Sequence, residues 1–195
     1  NFKKILNIQN RSLELCLFLS IPASLGLIIA AEEIINALFG YGSFTEKDIK
    51  LTAQALKYFG FGIPAFALIK VLSNFFFARD NTKLPFYISL FIVCINLVIS
   101  LSFFKDTGFI IIPIATSIST WVGVIIYVTL LRSYKSLIFE SYLFKNIIKI
   151  IFSTILMSLI LFYGIDFFEE KLHYTYKFKS IYLLFIVSFV ATIYL

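Results

Sequence analysis

Residues 58–78 read YFGFGIPAFALIKVLSNFFFA, an apolar run long enough to cross a bilayer core and broken by one charge, Lys70. At a helical rise of about 1.5 Å per residue, Lys70 lies roughly 13 Å from Arg79 at the nearer end, further than a lysine stem comfortably snorkels. An ammonium among acyl chains is costly, so Lys70 should face a wet cavity or a polar partner inside a helix bundle. Gly60, Gly62 and Pro64 precede it in close succession, where a kink is expected. Such a kink is tolerable only if neighbouring helices or water satisfy the freed backbone groups.

Further apolar runs lie at 15–31, 84–104, 107–131, 150–165 and 180–195. Hydrophobic residues make up 60% of the 195 and charged residues 14%, and mean hydropathy is +0.94, the composition of an integral membrane protein. None of the runs alternates apolar and polar residues as a barrel strand would, which leaves an all-α, polytopic transmembrane bundle of six spans. The chain starts without methionine and stops inside an apolar run, so it reads as a piece of a larger transporter with no secretory signal.

Nine basic residues fall on one side of this topology: Lys3, Lys4, Arg11, Arg79, Lys83, Arg132, Lys135, Lys145 and Lys149. Seven fall on the other: Lys47, Lys50, Lys57, Lys105, Lys171, Lys177 and Lys179, together with Glu46, Asp48, Asp106, Asp166, Glu169 and Glu170. The first side, with Arg79 and Lys83 in one of its loops, should be cytoplasmic. The net charge of +6 therefore reflects topology and not a nucleic-acid surface.

Cys16 and Cys94 fall in different spans and read as small packing residues, with no disulfide or metal site. His173, beside Tyr174, Tyr176 and Lys177, reads as a solvated loop residue. No nucleophile with a base and no glycine-rich phosphate cradle is present, so the chain does not read as an enzyme.

Between the first two spans, a Gly40-to-Gly42 turn leads to Thr45, a good helix N-cap, with Asp48 three residues on. Pro22 and Gly26 interrupt the first span as Gly60, Gly62 and Pro64 do the second, making all five hinge candidates. Asn96 and Ser100, four apart on the third span, should meet Thr116 on the fourth. Two readings stay open for this cluster. It is either interhelical hydrogen bonding or a monovalent-cation site built from the Asn96, Ser100 and Thr116 oxygens with a carbonyl near Ile112, an acidic ligand coming from elsewhere.

The succession Pro22-Ala23-Ser24-Leu25-Gly26, Leu38-Phe39 with Gly42-Ser43-Phe44-Thr45, Gly62-Ile63-Pro64-Ala65-Phe66, Ile69-Lys70-Val71-Leu72, Phe77-Ala78-Arg79 and Thr82-Lys83-Leu84-Pro85 resembles the MurJ (MviN) lipid II flippases of the MOP transporter superfamily. The resemblance is ordered over Pro22 to Arg132, with Lys70-Val71-Leu72 to Phe77-Ala78-Arg79 its most specific part. It implies a fourteen-helix transporter of two six-helix lobes and two extra helices. Residues 1–140 would belong to the C-terminal lobe and 141–195 would be the two additional helices. It further implies alternating access, a polyprenyl-pyrophosphate-linked substrate such as lipid II, a role in peptidoglycan synthesis at the bacterial inner membrane, and the N-terminal part of the same protein as a partner. No cofactor is implied beyond a bound cation. The sequence departs from the family where Arg79-Asp80-Asn81 replaces the usual Arg-Gln-Asp, and the family's headgroup arginines lie in helices outside this chain. Only Lys70 carries over, by position, as a cavity residue. Another MOP-type polysaccharide exporter and a passive membrane scaffold are the alternatives.

Overall fold

A computed structural model describes residues 2–134, 137–173, 176 and 178–194. Lys135, Tyr174 and Lys177, named above, lie outside the described residues. The elements are α1 (Phe2–Ile29), α2 (Ala31–Phe39), α3 (Glu46–Phe77), α4 (Lys83–Thr107), a 3-10 turn (Gly108–Ile110), α5 (Ile111–Ser133), α6 (Ser141–Phe167), α7 (Glu169–Leu172) and α8 (Lys179–Tyr194). No strand occurs among the described residues. Four stretches are long and apolar enough to cross a membrane: Lys3–Ile29, Glu46–Phe77, Lys83–Ser133 and Ser141–Phe167. The third holds two helices, α4 and α5, packed on each other after a reversal at Gly108, whose φ of +68° suits glycine. α8, at 16 residues, is shorter than these.

Helix boundaries follow local chemistry. Thr45 accepts from the Asp48 amide at 3.3 Å while Asp48 Oδ2 accepts from the Thr45 amide at 3.0 Å, the reciprocal box expected at the start of α3. α3 ends in a Schellman closure: the Asn81 amide donates to Phe76 O (3.1 Å) and the Asp80 amide to Phe77 O (3.0 Å). Asp80 takes the left-handed position with φ 55°, which aspartate tolerates better than most side chains. That is what the acid of the Arg79-Asp80-Asn81 loop does in this fold.

The first helix begins thirteen residues earlier than the apolar run at 15–31 suggests, because α1 starts at Phe2. Its polar start is anchored by Asn10, which is fully buried: Nδ2 donates to Leu6 O (2.9 Å) and Ile138 O (2.8 Å), and Oδ1 accepts from the Glu140 amide (3.2 Å). Asn146 Nδ2 donates to Glu14 Oε1 at 2.9 Å beside it. These bonds gather the start of α1, the connection that follows α5 and the start of α6 at one end of the bundle, the near end.

α3 lies at the centre, packed between α1 and α5, with α4 outside α5 and with α6 and α8 on the other side of α1 and α2. One core joins Leu13, Ala65, Leu72, Phe76, Tyr127 and Leu131, and a second joins Ala30, Met157, Leu161, Leu183, Ile186 and Val190. Small residues permit the approaches, as expected where lipid supplies no hydrophobic drive between helices. A side chain on Gly60 would come 2.7 Å from Ile28 Cγ1 of α1, and one on Gly62 would come 2.7 Å from Ser117 Oγ of α5. Gly123 of α5 likewise receives Ile92 of α4.

Candidate functional site

The prolines organise the polar chemistry of the bundle. A proline removes the amide that would bond the carbonyl four residues back, leaving an acceptor without its helical partner. Pro64 frees Gly60 O, and Ser24 Oγ of α1 donates to it at 2.7 Å. Pro22 frees Phe18 O, and the Tyr194 hydroxyl of α8 donates to it at 2.9 Å. Two donors from α5 serve carbonyls in the same stretch of α3: Ser117 Oγ to Tyr58 O (2.6 Å) and Trp121 Nε1 to Phe61 O (2.9 Å). Neighbouring helices thus satisfy the freed groups, as the sequence required. Both helices run unbroken through Pro22 and Pro64, and Gly60 and Gly62 are points of close approach. Gly26 differs, since a side chain there would meet nothing nearer than Met157 Cε at 3.9 Å.

Asn96, Ser100 and Thr116 meet between α4 and α5. Ser100 Oγ donates to Asn96 Oδ1 (3.4 Å), Asn96 Nδ2 to Thr116 Oγ1 (2.8 Å), and Thr116 Oγ1 to Ile112 O (2.7 Å). Ser119 and Thr120 both donate to Thr116 O, at 3.1 and 2.6 Å. The result is a directional chain in which each donor has an acceptor, and the Asn96 amide carries it from α4 to α5. Among the described residues no group of three or more His, Cys, Asp or Glu could hold a metal ion.

Lys70 is exposed on the flank of α3 that neither α1 nor α5 covers, between Phe66 and Asn74, which are exposed on the same face. Ser73 Oγ donates to its carbonyl at 3.0 Å. Within this chain its ammonium points outward from the bundle. Arg79 Nη1 donates to Phe75 O at 3.1 Å and closes the end of α3, while Lys83 opens α4 and is exposed. Of the cysteines, Cys94 is exposed on α4 and Cys16 half-buried on α1.

An apolar groove of about 450 Å³ runs between α1, α6 and α8, lined by Phe18, Pro22, Gly26, Met157, Val190 and Tyr194 among others. At the far end of the bundle a second cavity of about 250 Å³ is lined by Glu32, Glu33, Glu46 and Glu169 with Lys50 and His173. Glu33 is half-buried there, and burial pushes its carboxyl above the usual range, reinforced by Glu32 and opposed by a backbone hydrogen bond and Lys57.

The family model for the lipid II flippase MurJ matches residues 1–184. The chain belongs to the MurJ family. A probable lipid II flippase MurJ of Rhizobium tropici is 33% identical over 164 residues, 84% of this chain and 31% of the relative. That of Rickettsia prowazekii is 33% identical over 169 residues, 87% of this chain and 33% of the relative. A solved structure of a lipid II flippase MurJ in an inward closed conformation superimposes with a TM-score of 0.79 at 26% identity, covering 98% of this chain and 38% of that one. The chain therefore spans about a third of the length of the MurJ relatives it matches.

Several side chains that sequence reading passed over carry this MurJ fold. Asn10 gives no local signal, since an asparagine on a polar helix start reads as solvated. Ser24 and Tyr194 become legible only by asking which donor could reach four residues before each proline. Lys179, counted above as a loop base, is 1% exposed. Its signal was its place at the N-terminus of a helix, where the dipole disfavours a cation and a lysine needs a strong partner.

Proposed function

We propose that this chain is the C-terminal portion of a lipid II flippase, working by alternating access in the bacterial cytoplasmic membrane with its near end inside the cell. The observation that carries the reading is the correspondence with a MurJ structure along nearly the whole chain, together with the family match. The remaining two-thirds of such a protein supplies the other lobe and the cations that hold the substrate pyrophosphate. On this reading the exposed flank of α3 turns toward that lobe, and Lys70 lends positive charge to the central cavity in place of a lipid-facing position. The near end carries Arg11, Arg79, Lys83, Arg132, Lys145 and Lys149, which suits the cytoplasmic side. The polyprenyl tail stays in the apolar layer, with the groove between α1, α6 and α8 as its path. The Asn96, Ser100 and Thr116 cluster keeps its two readings: the hydrogen bonds that join α4 to α5 favour interhelical glue, and the alternative is one side of a monovalent-cation site whose acidic ligand comes from the rest of the protein.

The test is transport of labelled lipid II in vesicles. The full-length protein should move it between leaflets, Lys70→Ala should insert normally yet move it more slowly, and this chain alone should insert and leave the lipid where it was. Normal transport by the inserted Lys70→Ala protein removes Lys70 from the cavity. Transport by the isolated chain above empty vesicles places the headgroup path within these helices and overturns the reading.

A further inference from the structure

α8 is fastened to the α1–α2 unit by polar contacts at both of its ends, and the apolar groove lies between the two fastenings. At the far end, Lys179 Nζ donates to Asn36 Oδ1 at 2.8 Å and Gly40 O at 2.7 Å, and lies 4.3 Å from the centroid of the Tyr41 ring. Asn36 is held in turn by donating to Leu172 O at 2.8 Å. Ser180 Oγ donates to Ala37 O at 2.9 Å. Gly40 is required here, because a side chain would come 2.5 Å from the backbone carbonyl oxygen of Asn36 and 2.8 Å from the ammonium. At the other end the Tyr194 hydroxyl donates to the carbonyl that Pro22 frees, and its ring packs 5.1 Å from that of Phe18.

Lys179 and Tyr194 are separated by about 22 Å of helix at the usual rise. Over that length α8 faces α1 across a groove and touches α6 through apolar side chains. In a bilayer such contacts have no hydrophobic advantage over lipid, because an acyl chain is as apolar as the helix it would replace. A long hydrocarbon entering the groove could therefore wedge α8 away unless something other than apolar contact held it. The polar contacts are of that kind, since breaking the first strips a buried ammonium of two acceptors and breaking the second leaves a proline-freed carbonyl unsatisfied in the apolar layer.

We infer that Lys179 and Tyr194 are positioning residues that fix the width of the groove and make α8 a rigid wall for the polyprenyl tail. The inference rests on the reading of the groove as the tail path. Neither residue touches the headgroup.

The experiment uses full-length protein with Cys16 and Cys94 replaced by serine and spin labels at Leu15 of α1 and Phe189 of α8, both exposed. Tyr194→Phe removes one hydroxyl and keeps the ring, while Lys179→Met removes the ammonium and keeps the stem. Each should shift or broaden the α1–α8 distance distribution. Each should also raise the KM for a long-tailed polyprenyl substrate by about three- to tenfold, the scale of one interhelical hydrogen bond, while leaving the KM for a short-tailed analogue unchanged. An unchanged distance distribution, or equal changes for both substrates, overturns the inference. Gly26→Leu separates it from the reading beneath, because it fills the groove floor without touching either fastening. If Gly26→Leu spares the long-tailed substrate, the tail path lies elsewhere, and the distance distribution alone decides whether the two residues hold α8. If Gly26→Leu acts but Tyr194→Phe and Lys179→Met match the parent, the two residues do not set the groove.

Discussion

Alanine at position 62 should destabilise the bundle, although alanine is the better helix former. The new methyl would lie 2.7 Å from Ser117 Oγ and 3.3 Å from Ser117 Cα, so swinging the hydroxyl aside relieves only part of the overlap. The swing also breaks the 2.6 Å bond from Ser117 to Tyr58 O. A lost interhelical hydrogen bond costs about 0.6 to 1.7 kcal/mol, and parting α3 from α5 to admit the methyl costs about 1–3 kcal/mol. The helix propensity gain of about 1 kcal/mol offsets part of this, so Gly62→Ala should lose about 0.6–3.7 kcal/mol net. Gly26→Ala is the matched control, with its nearest neighbour at 3.9 Å, and should gain about 1 kcal/mol. Both variants, made in the full-length protein, would be compared by thermal and denaturant unfolding in the same detergent. The reasoning fails if Gly62→Ala is as stable as the parent, or if the two substitutions shift stability in the same direction.

Three further outcomes can be checked. Ser24→Ala should cost about 1 kcal/mol in the parent and much less in a Pro64→Ala background, where the restored amide bonds Gly60 O; a double-mutant cycle with no coupling would refute the proline-carbonyl pairing. Glu33→Gln should raise stability at neutral pH and flatten its acid dependence. The folded carboxyl binds its proton more tightly than the unfolded one, so the penalty is absent below the ordinary glutamate pKa, grows as pH rises through the folded value and is complete above it; a mutant-minus-parent difference that ignores pH would refute this. On the cation reading, sodium should protect the full-length protein against unfolding and Asn96→Ala should abolish the protection, whereas equal protection by sodium and potassium would leave the cluster as hydrogen-bonded glue.

What was legible in the sequence divides along physical lines. Hydropathy located the apolar helices because their length is a one-dimensional property, although four stretches rather than six are long and apolar enough to cross a membrane among the described residues, and the Thr45 and Asp48 box is local enough to be read from three-residue spacing. The Asn96, Ser100 and Thr116 meeting was legible because only a short turn joins the two helices that carry them. The start of α1 was hidden because what buries Asn10 is a loop 128 residues away, whose carbonyl at Ile138 accepts its amide. The same holds for Lys179 and Gly40, 139 residues apart. Lys70 shows the opposite difficulty: its cost in a span is evident, yet within this chain it stands exposed on α3, and it is the proposed function that turns this flank toward the rest of the protein.

The hinge candidates take on a different meaning once their partners are known. α1 donates Ser24 to the carbonyl freed in α3 and offers its own freed carbonyl, at Phe18, to Tyr194 of α8. One helix therefore joins α3 on one side to α8 on the other through the two backbone defects that its own and its neighbour's prolines create. Bending at Pro64 alone would pull Gly60 O from Ser24, and bending at Pro22 alone would pull Phe18 O from Tyr194. Either leaves an unsatisfied carbonyl in hydrocarbon, at a cost of several kcal/mol. Motion that keeps these bonds moves α1, α3 and α8 together, so any rocking must be taken up at surfaces these helices share with the rest of the protein and not at the prolines themselves.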